Sequence, residues 1–240
     1  DLIDLCESTE RNAREAAQLR RAIPGLSDAD TLAGQYLPDN QNQLIQDAYQ
    51  KAAQVTRLPD LNRHVTARMI RPGGWMLRLN IAGIYNPFVG EGHVSTALFP
   101  TQIPFTMAHE MAHGMGYGDE GTCNFLGALA CYLAEDPVIR YSGAFSRYRY
   151  FARELYRRSP GHYLAIVDSL DPGLRLDLIA TRNNGRRYNG QLRRVGSTVN
   201  NVYLKAQGVE GGVDSYNRVV ILWTAYFAER ARFLQSGSGE

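Results

Sequence analysis

The chain has 240 residues, of which 44% are hydrophobic and 21% charged, and carries a formal net charge of +2. That length and composition read as one globular domain with a sizeable core. The near-neutral balance argues against nucleic acid as a partner, and no run of 18 or more apolar residues offers a membrane span. The opening residues, Asp1-Leu2-Ile3-Asp4-Leu5, lack the make-up of a signal peptide. From Glu7 to about Ala22 the sequence is rich in Ala, Glu, Arg and Gln and predicts a helix stopped by Pro24-Gly25, its arginines on a solvated face. A second helix is predicted from about Asn42 to Val55, with Leu44, Ile45, Ala48, Ala52 and Val55 on one face.

Between His64 and Leu98 the pattern changes to short alternating runs: Val65–Ile70, Trp75–Leu79, Gly83–Tyr85 and His93–Leu98. They predict a small, mostly antiparallel sheet. Ile84-Tyr85-Asn86-Pro87-Phe88 is a candidate edge strand, because proline is tolerated there. A core strand ending in a turn fits the same residues. His64 and His93 read as surface or hydrogen-bonded histidines.

The segment Phe105-Thr106-Met107-Ala108-His109-Glu110-Met111-Ala112-His113-Gly114 follows. On a helix, which turns about 100° per residue, His109 and His113 share one face and can bind one metal ion. Glu110 is rotated partly off that face, so its carboxylate can reach a water beside the ion rather than the ion itself. Two ligands and a general base are the division of labour of the His-Glu-x-x-His zinc peptidases. With 5 His and 11 Glu in the chain, chance yields the motif about 0.5% of the time. The bland reading is a helix with two exposed histidines. Met107, Ala108, Met111, Ala112 and Met115 argue for burial instead, and buried histidines without partners are costly. A third protein ligand is needed, with the fourth position open for water. Asp119, ten residues after His109, and Glu120, in the first turn of a second apolar helix running to about Ala134, are the candidates.

Ile103-Pro104-Phe105-Thr106, the motif itself, Gly116-Tyr117, Glu120 and Asn124-Phe125 resemble a bacterial family of membrane-anchored zinc metallopeptidases of gluzincin type that carries a domain-of-unknown-function label. Gly83 to Glu91, Arg140-Tyr141-Ser142-Gly143, Tyr203-Leu204-Lys205 and Asp214-Ser215-Tyr216 extend the likeness over most of the chain. That family's usual Glu-x-Glu-Ala-Asn-Phe here has Thr122 and Cys123 in place of its second Glu and its Ala. The gluzincin offsets favour Glu120 as third ligand, with Asp119 as runner-up. The resemblance implies an α+β, predominantly helical zincin-like domain over residues 1–235, the sheet lying over the metal-binding helix and residues 236–240 forming a flexible tail. It implies one zinc ion held by His109, His113 and Glu120, and Glu110 as general base. It implies Asn124 and Glu91 as outer partners of the ligands, and Tyr85-Asn86 as the strand that pairs with a peptide or protein substrate. Tyr216, Arg218 and Tyr203 are candidates to face the oxyanion. It further implies a monomeric domain at the cell envelope, held by an anchor outside this chain.

Beyond the metal helices, Pro137 to Tyr156 is predicted helical, its crowded tyrosines and arginines read as packing. A helix from Asp171-Pro172 to about Thr181, a polar connection over 182–190, a helix from about Gln191 and a last helix from Ser215 to Phe233 complete the chain. Cys123 and Cys131, eight residues apart on one helix, are about 12 Å apart by helix rise and cannot bridge. With Cys6 they read as free thiols, Cys123 as a small core residue. The function expected is metal-assisted peptide hydrolysis. The alternatives are a catalytically silent zinc-bound scaffold module and a hydrolase of a non-peptide amide.

Overall fold

The structure, a computed structural model, describes residues 1–188 and 214–236. It is an α+β fold, mostly helical, with one three-stranded sheet. Helices α1 (Leu2–Arg21) and α2 (Gln41–Thr56) lead into strand β1 (Thr66–Ile70), a short α3 (Gly74–Arg78), and the hairpin β2 (Gly83–Asn86) and β3 (Glu91–Ser95). Then come α4 (Ile103–Gly114), α5 (Glu120–Leu133), α6 (Pro137–Arg158), α7 (Pro160–Asp168), α8 (Pro172–Arg187) and, after the undescribed segment, α9 (Asp214–Ser236). Among the described residues no helix is long and apolar enough to cross a membrane.

The sheet order is β1-β3-β2, with β1 parallel and β2 antiparallel to β3, so it is mixed rather than mostly antiparallel. The predicted strand Trp75–Leu79 is instead α3, since a five-residue apolar run carries no period that separates helix from strand. The register pairs Ala67 with Gly92, Gly92 with Tyr85 and Val94 with Gly83. Those residues share the face that lies on α4, while Arg68, Glu91, His93, Ile84 and Asn86 alternate to the other face.

Helix α4 runs through the middle of the core. Tyr49 of α2 is fully buried and donates its hydroxyl to the Ala108 carbonyl at 2.7 Å. Ser142 of α6 accepts from the Phe105 amide at 3.0 Å and donates to the Thr101 carbonyl at 2.7 Å, the work of an N-cap that Gln102 does not perform. Leu126 and Leu129 of α5 are buried against α4, each stabilising the fold by about 1.5–3 kcal/mol through area removed from water. Asp136-Pro137 and Asp171-Pro172 start α6 and α8 with side-chain caps, as their sequences suggest. Helix α8 runs on to Arg187, so most of the predicted connection over 182–190 is helical, and the helix predicted from Gln191 lies outside the described residues.

The arginines of α1 are not all solvated. Arg20 is fully buried, and its Nε donates to Asp177 Oδ2 at 2.9 Å. The Tyr141 hydroxyl donates to the same oxygen at 2.7 Å, and the Leu32 amide to Oδ1 at 2.8 Å. Arg20 also donates to the carbonyls of Ser27 and Asp30. Period alone could not reveal this, because a single arginine turned inward leaves the helical pattern intact. Removing one side of a buried, fully bonded ion pair strands the other charge. Asp177→Ala should therefore lower the free energy of unfolding by about 3–5 kcal/mol, and Tyr141→Phe by about 1 kcal/mol. Urea titration followed by circular dichroism measures both.

Candidate metal centre

His109 and His113 project from one face of α4, and Gly116, at φ +104°, ends that helix and turns the chain toward α5. Glu120 opens α5, so its carboxylate comes from a second helix to meet the two rings. His109 Nε2 and His113 Nε2 are 3.2 Å apart, with Glu120 Oε2 3.3 Å from the first and Oε1 3.4 Å from the second. A tetrahedral ion with zinc–nitrogen bonds of about 2.05 Å sets neighbouring donor atoms about 3.3 Å apart. The three side chains are spaced as ligands of one ion are. Among the described residues they are the one group of three or more His, Cys, Asp and Glu side chains drawn together tightly enough to hold a metal ion. His64, exposed, and His93, on the sheet face away from α4, take no part.

Of Asp119 and Glu120, only Glu120 joins this group. Asp119 is the N-cap of α5: its Oδ1 accepts from the amide and the hydroxyl of Thr122, each at 2.7 Å. Thr122, which stands where the resembling family has an acid, thus completes the cap. Arg218 Nε lies 3.3 Å from the same Asp119 oxygen, half exposed at the start of α9. Arg218, expected to face an oxyanion, pairs with this cap and is not among the described residues that line the cleft over the histidines. The side chains of Tyr216 and Tyr203 lie outside the described residues.

Glu110 sits beneath the sheet, 4% exposed. Two glycines make room for it. A Cβ on Gly83 would lie 2.5 Å from Glu110 Oε1, and one on Gly92 would lie 2.7 Å from Glu110 Cβ. Burial pushes the Glu110 carboxyl above its ordinary range, against the pull of the two histidines, and the neighbouring Glu120 raises it further. For Glu120, burial is outweighed by hydrogen bonds to His109 and His113 and by their charge, so its carboxyl is held well below the usual range. The His113 ring is raised, the contacts to Cys123 and Glu120 overcoming burial. Two carboxylates within one site are therefore shifted in opposite directions, Glu110 up and Glu120 down.

The outer partners differ from those expected. His113 Nδ1 bonds the Tyr117 carbonyl at 2.9 Å, and the Cys123 thiol donates to that carbonyl at 3.2 Å while lying 3.4 Å from Nδ1. Cys123 thus touches the His113 ring and is not only a core residue. Asn124 bonds neither histidine; its Oδ1 accepts the Tyr150 hydroxyl at 2.7 Å, because α5 turns it toward α6. His109 Nδ1 is buried without a hydrogen-bond partner among the described residues. Glu91 faces away from α4 and pairs with Arg68, Nε to Oε2 2.7 Å, since strand alternation gives the inward position to Gly92. Asn86 closes the β2–β3 turn, its Oδ1 accepting from the Phe88 amide at 3.0 Å, whereas Tyr85 does reach the cleft.

That cleft has a volume of about 1190 Å³. The metal-ligand group and Glu110 form its floor, and Gly83, Ile84 and Tyr85 of β2 one wall. β2 pairs with β3 on one side, leaving its other edge toward the cleft. Tyr148, Arg149, Tyr150, Arg153 and Tyr156 of α6 form the opposite wall, so part of the tyrosine–arginine stretch read as packing lines the cleft. Arg147, from the same stretch, does pack: it is buried, bonds Asn12 and Glu15 of α1, and lies 4.6 Å over the Trp223 ring.

A mostly helical α+β protein with a candidate two-histidine, one-glutamate metal site in an open cleft is the class these features define. The chain belongs to the family described as "Protein of unknown function (DUF3810)", whose model matches residues 2–224. No curated protein and no solved structure matches it. Dialysed against excess zinc and then buffer, the protein should retain one zinc per chain by atomic absorption. Glu120→Ala should lose most of it, and Asp119→Ala should keep it while unfolding about 1 kcal/mol more easily for want of the helix cap.

Proposed function

We propose that this chain is a zinc-dependent peptidase. The observation that carries the reading is Glu110, buried, raised in proton affinity and given space by two glycines, beside a three-donor group that opens on a cleft. A purely structural zinc site closes all four positions with protein ligands and has no use for a second carboxyl held off the ligand set. When bound by His109, His113 and Glu120, zinc supplies Lewis-acid polarisation of a carbonyl and acidifies a neighbouring water. The rest is the work of the chain. The outer edge of β2 pairs with an extended peptide by main-chain hydrogen bonds and lays the scissile bond over the floor of the cleft. Glu110 takes the proton of the attacking water and hands it to the leaving amine. Tyr150 lines the facing wall and donates its hydroxyl to Asn124, one helical turn beyond Glu120; exchanging that bond would let it meet the developing oxyanion.

The test is cleavage of a diverse unstructured peptide mixture, read by mass spectrometry. Zinc-loaded wild type should cut it, and Glu110→Gln should be slower by at least about 100-fold with zinc content unchanged. Equal cleavage by both would discard the mechanism, and silence from both with one zinc bound would favour a binding module over an enzyme. Gly83→Ala places a methyl group against Oε1 and displaces the base. It should lower kcat by about 100-fold and leave zinc binding intact.

A further inference from the structure

At one end of the cleft a side pocket of about 470 Å³ opens between α6, α8 and the segment before β2. Asn80, Ala82, Gln102, Arg149, Leu178 and Arg182 line both cavities, so the pocket and the cleft are continuous. Arg186 joins Arg149 and Arg182 in the pocket wall, and Arg153 and Arg175 follow along the cleft. Among the described residues no carboxylate lines the pocket, and the carboxylates lining the cleft are Glu110 and Glu120 at its floor. This cationic wall is a local feature, because the whole chain balances 26 Lys and Arg against 24 Asp and Glu. The one acid of α8, Asp177, is held by Arg20 and does not reach Arg182 or Arg186. Arg182 and Arg186 stand at i and i+4 on α8, a like-charge spacing that is unfavourable on an isolated helix. Both are exposed, and guanidinium groups present paired donors that fit a carboxylate.

Resting on the peptidase reading, we infer that this pocket selects substrates by a carboxylate, from an Asp or Glu side chain or from a chain terminus. The register follows from the backbone. Gly83 abuts Glu110, and Asn80, in the pocket wall, is three residues earlier, at most about 11 Å of extended chain. A peptide paired along this segment brings its carboxylate to the arginines within about four residues of the bond that is cut.

The experiment uses the full chain as zinc-loaded Glu110→Gln, which holds peptides without consuming them. The probes are fluorescent Ala/Ser/Gly decapeptides with a single Glu or Gln at each position in turn, made with free and with amidated C-termini. Fluorescence anisotropy should show a Glu peptide, or a free-acid terminus, bound at least tenfold more tightly than its amide counterpart. The position preferred tells side chain from terminus. Arg182→Gln with Arg186→Gln should bring the ratio within twofold, the paired Lys substitutions should keep part of it, and the paired Glu substitutions should favour a Lys peptide. Equal binding of acid and amide, or no binding of either, overturns the pocket. Cleavage by wild type without acid preference overturns the pocket alone. Acid preference in binding with no cleavage by wild type overturns the hydrolysis reading and leaves the pocket standing.

Discussion

The site depends on how closely the sheet approaches α4. Gly83 and Gly92 face the helix from neighbouring strands, and at both positions a Cβ would collide with Glu110. A sheet with ordinary side chains there would ride higher, the carboxyl would meet water, and burial would no longer raise its proton affinity. The same closeness puts the outer edge of β2 beside the His109, His113 and Glu120 group. One packing distance therefore sets both the chemistry of Glu110 and the position of the strand that could hold a peptide. The far side of α4 is equally tight, since a Cβ on Gly127 of α5 would come within 3.0 Å of the His109 backbone nitrogen. That contact fixes how α5 crosses α4, and with it where Glu120 meets the two histidines.

Adjacent acids at the start of α5 take unlike roles because a helix N-terminus sorts them. The residue at the N-cap has extended backbone and turns its side chain back on the first amides, which is where Asp119 bonds Thr122. The next residue is the first with helical backbone, and its side chain points outward, here at the histidines. The negative charge of Glu120 also lies at the positive end of the α5 dipole, which favours the ionised form that a ligand needs. Arg218 of α9 then pairs with the cap and not with the ligand.

What the sequence made legible is the local part of this arrangement. His109, Glu110 and His113 follow from spacing on one helix, the starts of α6 and α8 from Asp-Pro, and β2 as an edge from its flanking proline. Preferences between Asp119 and Glu120 came from a likeness to a family, and the structure supports the choice through cap geometry that spacing does not contain. The misreadings at the site are all tertiary. Asn124 has a helical offset suitable for a ligand partner, but α6 presents Tyr150 to it first. Glu91 lost its expected role to its neighbour Gly92 by strand alternation, which depends on a register the sequence does not state. Arg20 looks like a surface residue until Asp177 of a distant segment pairs with it. Cys123 touches the His113 shell only because Tyr117 folds its carbonyl between them.

The wall facing the metal-ligand group is held by interactions that have no part in chemistry. Tyr141 on α6 and Asp177 on α8 share one hydrogen bond, with Arg20 of α1 closing the group. Ser142, the next residue of α6, ties that helix to the start of α4. A buried ion pair of this kind adds little net stability over a well-packed apolar cluster, yet it admits one arrangement of its helices where apolar contacts admit several. Arg149 on α6 and Arg182 on α8 are positioned by it, and α4 by way of Ser142. The spacing between the arginine wall and the histidines is thereby set by polar contacts that cannot slide. Arg140-Tyr141-Ser142-Gly143 thus lines no part of the cleft, yet through Tyr141 and Ser142 it fixes where the walls of the cleft lie.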